Sequence, residues 1–212
     1  MAKKKKRTVS TMDIISVNMD EHVQQGDIFK NVKYIFDFKQ TDDSIEIVEL
    51  TFPYVLIVSQ SCDMLHASRL MSNEIHSESK LMFSVLAVPM YERETIISGE
   101  HLKELCDEKI IDFKINSPFI TDEDKKVIKD GFHYRFHEIY FSDDWKIPDS
   151  IIDLKGFFTL NLTTINQIKG QRIGRLNDWS SQQIVNKMSA FLSRVGLPEE
   201  VSQEKTIVQN QQ

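Results

Sequence analysis

The run Tyr54-Val-Leu-Ile-Val58 constrains this chain more than any other segment. Its apolar residues leave no polar face to turn toward water, so it reads as a short buried strand. The strand stops abruptly in Ser59-Gln60-Ser61-Cys62-Asp63. That polar elbow sets hydroxyls, an amide, a thiol and a carboxylate at one strand end, where a rigid scaffold presents binding and catalytic groups. The elbow is the expected functional end.

Other segments read as parts of the same sheet. Gln25-Gly26-Asp27 is a turn leading into a strand that continues to about Phe38, rich in β-branched and aromatic residues. Thr41 to Ser44 makes a turn, and 45–52 is its antiparallel partner. Residues 64–80 read as a polar surface loop. Leu81 to Val88 is a second buried strand, stopped by Pro89. The spacing of Ile96, Ile97, Leu102 and Leu105 fits a short helix over 95–107, and Asp122 to Lys126 a helix start or turn. Phe132, Tyr134 and Phe136 alternate as in a half-buried strand, and 151–162 holds one or two more.

The C-terminal helix has the clearest local signal. Ser180-Ser-Gln-Gln183 has capping-box form, and Ile184, Met188, Phe191, Leu192 and Val195 then fall on one face. Gly196 and Pro198 end it. The expected organisation is α+β: a disordered basic arm at 1–12, one domain at 13–198 and a frayed tail at 199–212. The domain carries a charged insertion at about 93–145.

Charge narrows the partners. The chain of 212 residues has a net charge of −6, although Lys3 to Arg7 are all basic. An acidic body repels phosphate backbones unless its cations gather on one face. Lys169, Arg172, Arg175, Lys187 and Arg194, with Trp179 for stacking, offer such a strip; the alternative is solvated cations pairing with the acidic insertion. No apolar run approaches the ~20 residues of a membrane span, and no secretory leader is seen. Cys62 and Cys106 form no CxxC pair and read as free thiols of a reducing cytoplasm.

Two constellations bear on catalysis. Cys62 with Asp63 and His66 offers a nucleophile, a carboxylate and a base, whereas the structural alternative is a small buried thiol with Asp63 satisfying loop amides. His133 and His137 share a strand face but lie about 13 Å apart at ~3.3 Å per residue, too far for one metal. They read as a surface pair, and no metal or cofactor is expected.

The order of these pieces resembles the MazF/PemK-like family of small SH3-like β-barrels, many of them toxin endoribonucleases. Gly26-Asp27-Ile28 resembles its opening strand, Pro53 to Val58 its proline-led strand, and Leu81 to Met90 the next buried strand. Leu162 to Gln167, Arg172 and the helix from Ser180 are similar to its closing strand, basic turn and helix. The Ser59–Asp63 elbow, with Arg172 to Leu176 and Phe191 to Pro198, also resembles a group of bacterial proteins of no assigned activity. Phe52 stands where the toxins carry a phosphate-binding arginine, and Pro89 follows Val88 where they carry a hydroxyl. The resemblance thus implies a barrel more strongly than a ribonuclease.

The resulting expectation is a toxin-like or defence-associated protein that contacts single-stranded RNA through Ser59, Gln60, Arg172 and Arg175. The alternatives are a non-catalytic subunit docking a cognate protein, and a hydrolase or transferase dependent on Cys62, Asp63 and His66. A homodimer is compatible with each, and none requires a membrane.

Overall fold

The computed structural model describes residues 14–15, 22–40, 44–74, 78–103, 119–142, 145 and 147–194. They form an α+β structure. Its strands are β1 (Ile14–Ile15), β2 (Asp27–Gln40), β3 (Ile45–Ile57), β4 (Ser84–Glu92), β5 (Phe136–Ile139), β6 (Ser150–Asp153), β7 (Phe158–Asn161) and β8 (Arg172–Leu176). The helices are α1 (Ser61–Met71), α2 (Arg93–Ser98), α3 (Asp122–Lys129), α4 (Leu162–Gln167) and α5 (Asp178–Leu192).

The strands join one antiparallel sheet in the order β1-β8-β2-β3-β4-β6-β5, with β7 also pairing β4. Its two ends, β1 and β5, do not pair among the described residues. The expected barrel is therefore an open sheet.

Alternation along β3 explains why the Tyr54–Val58 run is continuously apolar. Leu56 and Val58 enter a cluster with Ile28, Val88, Met90, Ile152, and Ile184 and Met188 of α5. Val55 and Ile57 enter another with Phe29, Val85, Ala87, Met64 and Ala67 of α1, and Ile165 of α4. Both faces of the central sheet are covered, and each buried side chain of this size contributes about 1.5–3 kcal/mol. A third cluster, Ile96, Ile120, Ile128, Phe136 and Ile151, joins α2 and α3 to the β5–β6 end.

Several expectations are corrected. The strand at 81–88 does not stop at Pro89: β4 runs to Glu92, with Pro89 opposite Val55. On its other edge, β4 exchanges β7 for β6 between Ala87 and Met90, so proline's missing N–H falls in a gap in the ladder. The two strands read at 45–52 and 54–58 are one strand, β3, that continues through Pro53. Residues 64–71 of the presumed loop are helical, as part of α1, which begins in the elbow at Ser61, while Leu162–Gln167 is a helix rather than a closing strand.

Where a helix was expected over 95–107, α2 starts earlier, at Arg93, and breaks at Gly99 (φ 86°), followed by a 3-10 turn over Glu100–Leu102; residues 104–107 lie outside the described residues. Only Phe136 of the aromatic alternation lies in a strand; Phe132 and Tyr134 are exposed in the preceding turn. α5 starts before the capping box, with Asn177 as N-cap accepting from Ser180 N, while Ser180 and Ser181 are buried. Helix α3 begins where expected, with Thr121 as its cap. Residues 1–12, the turn at 41–43, Leu105, Cys106, Val195, Gly196, Pro198 and the tail lie outside the described residues.

Candidate functional site

The elbow is a strand-to-helix junction. Ser59 Oγ accepts from Leu86 N (2.8 Å), tying the end of β3 to β4. Gln60 then takes the extended conformation of an N-cap, and α1 begins at Ser61. Within α1, Met64 and Ala67 point into the core. Cys62, Leu65 and Arg69, at i, i+3 and i+7, form a different stripe. That stripe faces His22 and Gln24 across a pocket of about 400 Å3, which Ser61 also lines.

The opposite wall is fixed by buried charge. Asp27 has no solvent exposure and accepts from Arg172 Nη1 at 3.0 Å and Arg175 Nε at 2.6 Å. Its Oδ2 also accepts from Gln24 N at 2.8 Å, while Arg172 Nη1 reaches the His22 carbonyl at 3.4 Å. From the helix side, Ser61 Oγ accepts from Gln25 N at 3.0 Å. Residues 22–25 are thus clamped by the ion cluster at one end and by the first residue of α1 at the other. Gly26, at φ 87°, completes the corner: a Cβ there would meet Ser181 Oγ at 2.8 Å.

Arg172 and Arg175 are three residues apart, which in a regular strand would put them on opposite faces. In β8 they share one face. Asp27 pairs Arg175, Ile28 pairs Gly174 and Phe29 pairs Arg172, leaving Ile173 as an extra residue. The bulge turns both guanidiniums to the side of Asp27.

Of the sequence-predicted site residues, Cys62 lines the pocket, and the others take other roles. Arg172 and Arg175 are buried inside the ion cluster and do not line a surface, which corrects their expected exposure to RNA. Ser59 is taken up by β4, whereas Gln60 is exposed. The remaining strip cations are dispersed: Lys187 Nζ donates to the Gly131 carbonyl, and the Arg194 guanidinium lies 4.1 Å over the Tyr134 ring.

Cys62 is exposed and free, not the buried thiol of the structural alternative. Its Sγ donates weakly to Asp63 Oδ1 at 3.6 Å and Gln60 Oε1 at 3.7 Å. His66 stands one helical turn after Cys62, half-buried, and is not among the pocket-lining residues. The imidazole that lines the pocket is His22, anchored by a 3.2 Å contact between Nδ1 and Ser68 Oγ. Sequence reasoning missed it because it lies 40 residues upstream of the thiol. Arg69 was missed because the helix was read as loop; it is about half exposed, with Glu74 at 3.8 Å.

The histidine pair at 133 and 137 is also corrected. His133 Nδ1 accepts from the backbone N–H groups of Arg135 and Phe136. His137 is buried in β5, and neither ring nitrogen finds a hydrogen-bond partner among the described residues. Burial, with Lys187 nearby, pushes its pKa down to about 3. No cluster of metal-ligating side chains occurs among the described residues. A second groove, bordered by Glu92, Arg93, Lys129 and Tyr140, offers no thiol, and its arginine is already paired with Glu94 and Glu138.

No protein-family model and no curated protein matches this chain. No helix among the described residues is long and apolar enough to cross a membrane.

Proposed function

We propose that the protein is a Cys62-dependent hydrolase or transferase acting on a small acyl substrate that carries an anionic group. The observation that carries this reading is the pocket itself: an exposed thiol, an imidazole and a guanidinium border one cavity of ligand size. Cys62 Sγ attacks the acyl carbon, and its proton passes to His22. With the other proton on Nδ1, against Ser68 Oγ, Nε2 of His22 is the basic nitrogen. The leaving group departs with that proton, and water or a second acceptor resolves the thioester. Arg69 holds the anionic end of the substrate, and Leu65 packs its apolar part. Arg172 and Asp27 position the His22 wall without touching substrate.

The test is a panel of small acyl esters and thioesters, with and without a carboxylate tail, read by intact mass and product release. The expected result is an acyl adduct mapped to Cys62, lost in Cys62→Ala and weakened in His22→Ala and Arg69→Ala. Equal turnover by the wild type and Cys62→Ala would refute the proposal.

A second reading, binding of single-stranded RNA, now rests on Arg69 rather than on Arg172 and Arg175. Exposed at the pocket edge, Arg69 suits a phosphate, and the pocket admits a base beside Leu65. RNA retention that is lost in Arg69→Ala, without acylation of Cys62, would favour it. The SH3-like likeness belongs with this second reading.

A further inference from the structure

The β2–β3 hairpin projects beyond the sheet. β8 pairs β2 only at Asp27 to Phe29, and β4 pairs β3 only from Tyr54 to Ile57. Among the described residues, 33–40 of β2 and 45–51 of β3 therefore pair with each other alone, as a two-stranded ribbon. Such ribbons are marginal in water without further packing.

The ribbon nevertheless exposes large apolar side chains: Ile35 57%, Phe38 64%, Ile45 65% and Ile47 56%. Register places all four on one face. Residues directly opposite share a face, so Ile35 lies with Glu49, Phe38 with Ile47, and Gln40 with Ile45. Glu49, Ile47 and Ile45 alternate along β3 and point the same way. Ile35 and Phe38, three apart, would diverge in a regular strand; the bulge at Phe36 brings them together. Backbone irregularity has been used to assemble an apolar stripe in water.

We propose that this stripe packs against the same stripe of a second copy of the chain, forming a two-fold dimer. The pattern along the face is polar, apolar, polar. Lys33, Thr51 and Glu49 border the stripe at its base, while Gln40 lies toward its tip. A two-fold axis crossing the ribbon lays apolar centre on apolar centre and the base of each copy on the tip of the other. The two bodies then sit at opposite ends. Lys33 and Glu49 are already paired at 3.1 Å, so Gln40 of the second copy meets no unpaired charge there.

The area is sufficient. At roughly 200 Å2 for a fully exposed side chain of this size, the four contribute about 450–500 Å2 per copy. With the polar border, each copy passes the ~600 Å2 at which specific interfaces begin.

The experiment is sedimentation equilibrium of the full chain at roughly 1 to 50 µM, a range that brackets a micromolar dimer. The wild type should approach twice the chain mass. Ile47→Asp and Phe38→Asp should each weaken association at least tenfold while retaining the native circular-dichroism spectrum. Phe132→Ser, which removes an exposed aromatic off the ribbon, should leave the dimer intact. If one stripe variant fails to fold, the other carries the test, and Ile45→Ser provides a milder third. A wild-type monomer across this range overturns the proposal, as does a dimer that survives in the folded stripe variants. Open-ended assembly into species larger than a dimer also overturns it.

Discussion

The two ends of β2 invert the usual distribution of residues. At one end Asp27, a carboxylate, is fully buried between two guanidiniums; at the other Phe38 is 64% exposed. The same device produces both. A bulge at Ile173 turns Arg172 and Arg175 toward Asp27, and a bulge at Phe36 turns Ile35 and Phe38 onto one face. In each case residues three apart act together where a period of two would separate them. The difference lies in what completes the arrangement. The buried charges are paired with one another within the chain and hold the wall of the Cys62 pocket. The exposed apolar side chains require a surface from outside.

The buried end should break hardest. Asp27→Ala leaves two guanidiniums without their shared carboxylate and should cost about 3–5 kcal/mol in urea unfolding. A loss below about 1 kcal/mol would show that the cluster does not clamp this corner.

Acid supplies the next effect. The pKa of His137 is depressed to about 3 in the fold, so the unfolded chain, with its ordinary value near 6.5, takes up the proton first. The associated stability is complete above about pH 6.5 and is lost as pH falls toward 3, at up to about 1.4 kcal/mol per unit. His137→Leu should flatten that part of the profile, by about 2 kcal/mol between pH 6.5 and 5. Parallel profiles for variant and wild type would contradict the burial argument.

Ser61→Ala separates the pocket from the core. It removes the acceptor of Gln25 N, so a loss of about 1 kcal/mol is expected, with slower acylation of Cys62 as the His22 wall loosens. An unchanged acylation rate would detach that wall from the chemistry. Smallest in stability is Ile47→Asp on the ribbon, within about 0.5 kcal/mol when measured under monomeric conditions. A large loss there would mean that the ribbon packs on its own body.

Much of the sheet was legible because burial on two faces leaves an unbroken apolar run, as at Tyr54 to Val58. The pairing of β2 with residues 45–52 was legible from their β-branched and aromatic residues, although β3 runs on through Pro53. Helix α1 was not, since only Met64 and Ala67 are buried on it and its remaining apolar residues, Leu65, Leu70 and Met71, are mixed with polar ones and mark no single face. Pro89 misled because a proline is tolerated where a strand changes partners. The arginines drew attention for a sound reason, their unusual density near the chain's end, but charge density does not reveal a bulge or a buried carboxylate 145 residues away in sequence. Of the candidate site, Cys62 was visible at once. Its companions were not, because a pocket built from a helix stripe and a distant segment has no local pattern.

The most direct test of the account is the alkylation rate of Cys62 in the folded protein, read by peptide mass mapping with iodoacetate and iodoacetamide side by side. The pocket reading predicts that the anionic reagent is favoured at Cys62, and that Arg69→Ala removes the preference while Cys62 stays accessible. A rate ratio of the two reagents at Cys62 equal to that of a free small thiol such as glutathione, and unchanged by Arg69→Ala, would show an ordinary surface thiol and contradict the account.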